Sequence, residues 1–255
     1  MLSENSLHPY YPTDAPIPGY APNEFSLLKL LSTASIGTTA LLGTVFILIT
    51  VLRPKLSKAD RVAILWFFLF TLIYSEHTAG TMHCMFEGYF MLNHNRMASA
   101  QDFFGQLWKE YALSDSRYMT ADTMVLCMET ITVLVWGPLC LLVAYSIFIR
   151  SSLRHPLQLT VCLSHLYGDS LYYATSLYDH YVHERPYCRP EPFYFWVYYF
   201  FMNFIWIVVP LCMFNPLYTL GNDLLRILDY FVQSVRAIQN AFNRLAATSA
   251  DRKTQ

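Results

Sequence analysis

Five apolar runs divide the chain, and each is long enough to cross a membrane as a helix, which takes about 20 residues. The fourth run is the most polar, because it contains Gln158, His165 and Asp169. The pattern predicts an all-α fold, a polytopic membrane protein built as a five-helix transmembrane bundle. The runs cover residues 27–52, 62–92, 121–148, 157–177 and 193–217.

The runs define three parts of the chain. Residues 1–26 are rich in Pro and Tyr and contain no Lys or Arg, and we predict a lumenal N-terminal segment there. Residues 27–217 would form the transmembrane domain. In residues 218–255, large apolar side chains recur at helical spacing among basic ones, which predicts a cytosolic amphipathic tail on the membrane surface. A partly ordered tail is the alternative.

Basic residues outside the runs orient the bundle. The positive-inside rule places segments rich in Lys and Arg in the cytosol. We therefore expect a lumenal N-terminus and a cytosolic C-terminus, as an odd number of spans requires. The basic residues lie in the first loop, the third loop and the tail: Arg53, Lys55, Lys58, Arg61, Arg150, Arg154, Arg226, Arg236, Arg244, Arg252 and Lys253.

The composition agrees with an integral membrane protein. Of the 255 residues, 55% are hydrophobic and 14% are charged, against about 25% charged in soluble domains. The formal net charge of −1 gives no reason to expect nucleic acid as a partner. The six cysteines form no CxxC pair, and the histidines and acids lack a tight ligand spacing. We expect neither a metal nor a cofactor.

Candidate chemistry begins in the second run. The stretch from Tyr74 to Phe90 contains Glu76, His83 and Glu87 within an apolar environment. Ionisable groups at bilayer depth are costly, and they commonly mark a working site. His83 and Glu87 are four residues apart and so share one helix face. The alternative is that these two side chains only pair to hold helices together.

Polar groups from three runs fall at similar depths. From the lumenal end of each run, a rise of about 1.5 Å per residue puts Glu87 roughly 7 Å in and His83 roughly 13 Å in. By the same measure Glu129 lies about 10–12 Å in, Asn203 about 15 Å and Trp206 about 20 Å. This convergence predicts a shared site inside the bundle.

The site has the groups that a proton-transfer reaction needs. One buried carboxyl can stay protonated and act as an acid, while a neighbour in a more polar setting stays ionised and acts as a base. The Trp206 ring can face a cation. Together they suit alkene isomerisation through a carbocation, on an apolar substrate that enters from the bilayer. No P-loop, nucleophile elbow or dinucleotide fingerprint is present.

Several long motifs resemble one family. They are LHPYYP from Leu7, HCMFEGYF from His83, GQLWKEYALSDSRY from Gly105, CMETIT from Cys127 with WGPL ending at Leu139, LYGDSLYY from Leu166 and FYFWVYYFFMNFIWIVVP from Phe193. Over most of residues 7–210, and in this order, the chain resembles the emopamil-binding protein family of sterol Δ8-Δ7 isomerases.

The resemblance implies a five-helix protein of the endoplasmic reticulum membrane that binds sterols and also cationic amines. The implied reaction moves a ring double bond from C8–C9 to C7–C8 without a cofactor. A proton is added at C9, a cation forms at C8, and a proton leaves C7. The family's site residues correspond here to His83, Glu87, Glu129, Thr132, Asn203 and Trp206. Glu87, oriented by His83, and Glu129 would share the donor and acceptor roles.

Three further residues are assigned to substrate binding. Tyr111 and Trp108 would either line the mouth of the pocket or act as interfacial anchors. Glu76 has no counterpart in the family pattern and would add another acid to the site face.

Four polar residues favour structural roles. Asp115 and Arg117 are expected to form a loop salt bridge that closes the lumenal side. We interpret His165 as a core histidine, and Asp169 as a residue that caps or pairs structurally.

Two other functions stay open. The chain could be a non-catalytic sterol or lipid-binding member of the same fold, or an isomerase that acts on a non-sterol polycyclic terpenoid. A lipid bilayer is a partner in every case, and whether the chain forms a homodimer is left open.

Overall fold

The structure, a computed structural model, describes residues 8–69 and 86–214, together with the tail pairs 232–233, 235–236 and 239–240. All regular structure in these ranges is helical, and no strand occurs among them. The predicted all-α class is thereby confirmed. The predicted site residues Glu76 and His83, and most of the predicted tail helix, lie outside the described residues.

Eight α-helices make up the described part of the chain. Two π-helical segments interrupt the long helices: Thr132–Trp136 joins α5 to α6, and Tyr194–Phe201 leads into α8. Two short 3₁₀ helices, His94–Ser99 and Ser116–Tyr118, flank α4. The helices are α1 Leu27–Leu52, α2 Lys58–Leu69, α3 Gly88–Asn93, α4 Phe103–Tyr111, α5 Thr123–Ile131, α6 Gly137–Phe148, α7 Arg154–Val182 and α8 Met202–Phe214.

Three helical stretches among the described residues are long and apolar enough to span a membrane. They are Leu27–Leu52, Thr123–Phe148 and Tyr194–Met213, and they match the first, third and fifth predicted spans. The predicted fourth span is α7, whose 29 residues extend roughly 43 Å. It is long enough to span a membrane, but it contains too many polar residues to belong with the three apolar stretches. The predicted second span is described only at its two ends, as α2 and α3.

A proline explains the position of the π-helical turn inside the third span. A proline within a helix clashes with the carbonyl four residues earlier and removes one hydrogen bond. For Pro138 that carbonyl belongs to Leu134, which lies inside the π-helical turn Thr132–Trp136. The wider turn accommodates the proline, so the helix continues into α6. This turn begins three residues after Glu129, and π-helical turns occur frequently at functional sites.

Residues 8–26 and 94–120, which we call the cap, pack together over one end of the bundle. The Tyr10 hydroxyl donates to the carbonyl of Lys109 at 3.0 Å, and the Lys109 Nζ donates to the carbonyl of Ala21 at 2.7 Å. The Gln106 Oε1 accepts from the backbone N–H groups of Glu24 and Phe25, each at 2.8 Å. These bonds tie the N-terminal segment to α4.

Residues 94–120 of the cap lie between the second and third apolar runs, where the sequence predicts no span. A stretch rich in polar side chains is typical of a solvated loop, yet here six of them are buried. They can be buried because each has a hydrogen-bond partner inside the protein. The six are Gln106, Lys109, Ser114, Asp115, Ser116 and Arg117.

Two apolar clusters fill the interior. The cluster below the cap joins the cap to α3, α5 and the start of the fifth span, and it contains Tyr10, Phe90, Trp108, Tyr118, Val125 and Tyr199. The second cluster lies between α1, α2, α6 and α7, and it contains Ile49, Phe67, Cys140, Val143, Ile147 and Val161. Trp206 packs against this second cluster.

Candidate functional site

Glu129 is a buried acid among the predicted site residues. It lies on α5 with 7% of its surface exposed, and its Oε1 accepts a hydrogen bond from the Tyr118 hydroxyl at 2.9 Å. Asp122, the N-cap of α5, accepts from the Val125 N–H at 3.1 Å and so fixes where the helix begins. The Glu129 carboxyl is held from the cap side by a neutral donor.

Glu87 lies on a segment next to α5. It immediately precedes α3 and does not use its side chain to cap that helix. Helix α3 packs against α5, the helix that carries Glu129. The segments that carry the two predicted acids are therefore neighbours.

Trp108 positions the segment that carries Glu87. Its Nε1 donates to the carbonyl of Phe86 at 2.7 Å, and the two rings stack with centroids 3.9 Å apart. Only 1% of Trp108 is exposed, so the indole is enclosed by protein rather than placed at a membrane interface. It therefore supports the backbone next to Glu87.

Aromatic rings enclose the two acids on the cap side. The Tyr118 ring lies 5.1 Å from Phe90, 4.7 Å from Trp108 and 5.5 Å from Tyr111, measured between centroids. Such packed rings exclude water, and excluding water strengthens the electrostatic interactions inside a site. The carboxyls lie in a predominantly apolar, ring-lined environment.

Asn203 is linked to the same ring group from the fifth span. Its side chain and the Tyr111 hydroxyl lie 3.3 to 3.4 Å apart, and its Nδ2 donates to the carbonyl of Tyr199 at 2.7 Å. The Tyr199 carbonyl belongs to the π-helical segment that precedes α8. Asn203 is therefore fixed both by its own helix and by α4.

Trp206 lies one turn beyond Asn203, farther from the cap. Its ring contacts Trp66 of α2 at 5.4 Å and His165 of α7 at 5.6 Å, between centroids. We call Trp66, His165 and Trp206 the inner aromatic group. Trp66 and Trp206 pack on the second apolar cluster, whereas Tyr118, the hydrogen-bond partner of Glu129, belongs to the first.

Thr132 is half-buried and lies three residues after Glu129. It is the first residue of the π-helical turn in the third span. The side chains at these two positions therefore share a helix face.

The arrangement suits proton transfer. A carboxyl can give up or accept a proton, and apolar surroundings protect a reactive intermediate from water. In the part of the chain that the structure describes, no three metal-ligating side chains lie together.

The structural roles predicted for other polar residues have different outcomes. Asp115 and Arg117 form the expected salt bridge, with Nη2 and Oδ2 2.7 Å apart and both side chains buried. His165 is buried, as expected of a core residue, and touches Trp206. Asp169 was expected to cap or pair structurally; it does not cap a helix, because it lies in the middle of α7, and its Oδ2 has no hydrogen-bond partner among the described residues.

Two residues near the site were missed by the sequence reasoning. Tyr118 precedes the third span and was counted with the loop, although it belongs to the DSRY motif and lies eleven positions before Glu129. Trp66 lies near the start of the second predicted span, where an aromatic residue is typical of a membrane interface. Only the folded chain shows that they approach Glu129 and Trp206.

Comparison with known proteins gives the family. Residues 103–215 match the family described as EXPERA (EXPanded EBP superfamily). A protein of Mus musculus named 3-beta-hydroxysteroid-Delta(8),Delta(7)-isomerase is 34% identical over 209 residues, which cover 80% of this chain and 84% of that protein. The chain belongs to the EXPERA family.

Other members extend the likeness beyond mammals. An Oryza sativa protein named probable 3-beta-hydroxysteroid-Delta(8),Delta(7)-isomerase is 33% identical over 204 residues, covering 80% of this chain and 87% of its own. An isomeliandiol synthase of Melia azedarach is 33% identical over 155 residues, covering 60% of this chain and 66% of its own. The EXPERA match itself includes α4, Tyr118, Glu129, Asn203 and Trp206.

Proposed function

We propose that this EXPERA protein is a 3β-hydroxysteroid Δ8-Δ7 isomerase. The observation that carries the proposal is the buried Glu129, bonded by Tyr118 among packed aromatic rings, with Glu87 on the neighbouring helical segment. The relatives named for this activity support it, since they match most of the chain. A binding protein would not need two acids close together in an apolar interior.

The reaction needs one proton donor and one proton acceptor. A protonated carboxyl gives its proton to C9, and the electrons of the C8–C9 double bond form the new C9–H bond. A cation remains at C8. The C7–H bond then breaks, its electrons form the C7–C8 double bond, and a carboxylate takes the proton. The sum involves no oxidation, so Glu87 and Glu129 can complete it between them.

The remaining predicted residues support these steps. Trp206 would face the cation through its ring, with Asn203 one turn away setting its helix position. Thr132 would line the wall beside Glu129, and His83 would orient Glu87. Tyr111 would bind substrate beside Asn203.

Two predicted residues complete the lining. Trp108 would keep the segment of Glu87 in place, as its bond to the Phe86 carbonyl supports. Glu76 would add a further acid on the face of His83.

The proposed setting is the endoplasmic reticulum membrane. Residues 27–217 would form five spans with the N-terminus lumenal, and residues 218–255 would form the cytosolic tail. The cap would then close the lumenal side, where the salt bridge of Asp115 and Arg117 joins it to α7. Cationic amines would bind as analogues of the C8 cation. All residues named in the mechanism come from one chain, so the proposal does not require a homodimer.

Product analysis in cells that lack their own sterol isomerase tests the proposal. Membranes that contain the protein should convert a Δ8 sterol to the Δ7 sterol without an added cofactor. Protein carrying both Glu87→Gln and Glu129→Gln should be present at a similar level and inactive. If folded wild-type protein binds the Δ8 sterol but gives no product, the protein is a sterol-binding member of the family instead.

A second candidate changes the substrate and keeps the acids. The isomeliandiol synthase of Melia azedarach and a protoglabretal synthase of Citrus sinensis match this chain over 60% and 61% of its length. An isomerase acting on a non-sterol polycyclic terpenoid is therefore the alternative. Supplying both substrate classes to the same membranes distinguishes the two, since the preferred class should be converted faster.

A further inference from the structure

Asp169 is a buried acid that the mechanism above does not use. It lies in the middle of α7 with 9% of its surface exposed. Its Oδ2 is buried and has no hydrogen-bond partner among the residues that the structure describes. Leaving a buried polar atom unpaired is costly, and such exceptions in folded proteins need an explanation.

The packing of α7 on α8 shows where Asp169 lies. Near one end of the pair the Gln158 Nε2 reaches the Met213 carbonyl at 3.4 Å, and farther along His165 touches Trp206. Tyr173 donates to the carbonyl of Phe200 at 2.7 Å. The two helices are therefore antiparallel and in steady register.

Asp169 is at the level of Asn203 in this register. It lies halfway between His165 and Tyr173, and their partners Trp206 and Phe200 are centred on Asn203. Residues four and eight apart share a helix face, so Asp169 lies on the face that packs against α8. Its carboxyl therefore lies at the level of Asn203 on the neighbouring helix.

Asp169 is also close to the cap. Three residues farther along α7, Tyr172 lies under the Arg117 guanidinium, 4.8 Å from it. Asp169 is thus about one turn inward of the salt bridge that joins the cap to α7. It lies between the cap and the inner aromatic group, with the carboxyls of Glu87 and Glu129 held on other helices.

We propose that Asp169 binds the 3β-hydroxyl of the substrate, an inference that rests on the proposed function. The substrate named for the relatives is a 3-beta-hydroxysteroid, and that hydroxyl is a polar group on a skeleton that is otherwise mainly hydrocarbon. A hydroxyl both donates and accepts hydrogen bonds, so it satisfies a carboxyl in either protonation state.

Binding the hydroxyl would also place the reacting carbons. The ring skeleton is rigid, and the hydroxyl at C3 lies across two fused rings from the bond between C7 and C8. Fixing the hydroxyl at C3 therefore also fixes C7 and C8 relative to Glu87 and Glu129. Holding a reactant in the right geometry is a large part of catalysis.

The test compares two sterols on two proteins. The sterols are a Δ8 sterol with its 3β-hydroxyl and the matching 3-deoxy compound, and the proteins are wild type and Asp169→Leu. Affinity is measured by displacement of a radiolabelled sterol from detergent-solubilised protein. The variant should bind the hydroxysterol at least tenfold more weakly, as expected when a hydrogen bond to a charged group is lost. It should bind the deoxysterol as tightly as wild type or more tightly.

Three further measurements complete the design. Asp169→Asn keeps the size and one acceptor and should lie between wild type and Asp169→Leu. Ser170→Ala changes the next residue, which is exposed, and should change neither affinity. Thermal unfolding followed by size-exclusion chromatography checks the fold, and Asp169→Leu should not lower the melting temperature because it removes an unpaired buried group.

The outcomes separate this inference from the proposed function. Equal loss of both sterols in Asp169→Leu, unchanged hydroxysterol binding, or a wild type that binds both sterols equally would each overturn the inference. A wild type that prefers the hydroxysterol through Asp169 but forms no Δ7 product would overturn the proposed function alone.

Discussion

Buried polar side chains have different kinds of partner in the cap and in the helical interior. In the cap, Lys109 is bonded to the Ala21 carbonyl, and Arg117 is bonded to Asp115. Burial lowers the pKa of Lys109, since an ammonium loses hydration, while Glu24 and Asp102 act in the opposite direction. Burial also opposes the charge of Arg117, yet the adjacent Asp115 raises its pKa above the usual value.

In the interior, Glu129 is bonded to a neutral hydroxyl. Asp169 has an Oδ2 without a hydrogen-bond partner in the described part of the chain. Proteins depart from local stability rules mainly at functional sites. Under the proposed function, polar groups in the cap stabilise the fold, and those in the interior act on a ligand.

The largest effect should come from breaking the cap. Asp115→Asn leaves the buried Arg117 guanidinium without its ion pair, and such losses typically cost about 3–5 kcal/mol of stability. We expect a strong drop in melting temperature in detergent. The activity of each folded molecule should stay near wild type, because the pair does not touch the two acids. Thermal unfolding and turnover per folded molecule are the measurements.

The exposed pair formed by Arg189 and Glu191 is the control for this change. Glu191→Gln should cost little, since exposed pairs contribute about 0–1 kcal/mol. If the Asp115→Asn protein is folded and has a normal melting temperature but has lost turnover, the pair takes part in the reaction and is not only structural.

The interior acids should show the reverse behaviour. Glu129→Gln and Glu87→Gln should each lower turnover at least about 10²-fold, the scale of general acid–base catalysis. Melting temperatures should change little, because Gln keeps the size and removes only the charge. Initial rates of sterol conversion, normalised to folded protein, test this. A variant that keeps full activity would remove its carboxyl from the mechanism.

The sequence predicted the interior better than the cap. The spans at 27–52, 121–148 and 193–217 follow from hydropathy alone, and helix rise placed Glu129 and Asn203 at similar depth. Of the cap, only the pair of Asp115 and Arg117 was predicted, because a run of polar residues does not reveal partners that are distant in the chain, such as the backbone groups that Gln106 and Lys109 bind. The bond from Tyr118 to Glu129 was missed for a similar reason, since it joins a loop to a helix.

For Trp206 the sequence prediction was less accurate than for the rest of the interior. Depth placed it in the layer of the acids, but the structure places it in the inner aromatic group, with Trp66 and His165. Helix rise gives depth along one span and does not report which helices the ring faces. An account of its role therefore depends on a test of the ring itself.

Substituting Trp206 should give a graded, smaller effect. A desolvated cation–π contact contributes about 2 kcal/mol or more. Turnover should fall in the order Trp, Phe, Leu at this position, and so should affinity for a cationic amine. Affinity for a neutral sterol should change much less. If Trp206→Leu weakens amine and sterol binding equally, the ring is only a wall of the pocket. Trp66→Phe, in the same ring group, is the control.

The smallest effect should come from the contact that joins the two regions. Tyr118 belongs to the cap, yet its hydroxyl donates to Glu129 at 2.9 Å. Tyr118→Phe keeps the ring packing against Phe90 and Trp108 and removes only this bond. A typical hydrogen bond contributes about 0.5–1.5 kcal/mol, so turnover should fall by up to about tenfold. Steady-state turnover of the Δ8 sterol is the measurement.

Tyr10→Phe is the matched control, since the Tyr10 hydroxyl also lies in the cap but donates to the Lys109 carbonyl rather than to an acid. The decisive comparison is a double-mutant cycle with Glu129→Gln. If Tyr118 acts through Glu129, Tyr118→Phe should cost much less turnover in the Glu129→Gln background than in wild type. Equal losses in both backgrounds would mean that the Tyr118 hydroxyl serves the cap alone, because its effect would then not depend on the acid it touches.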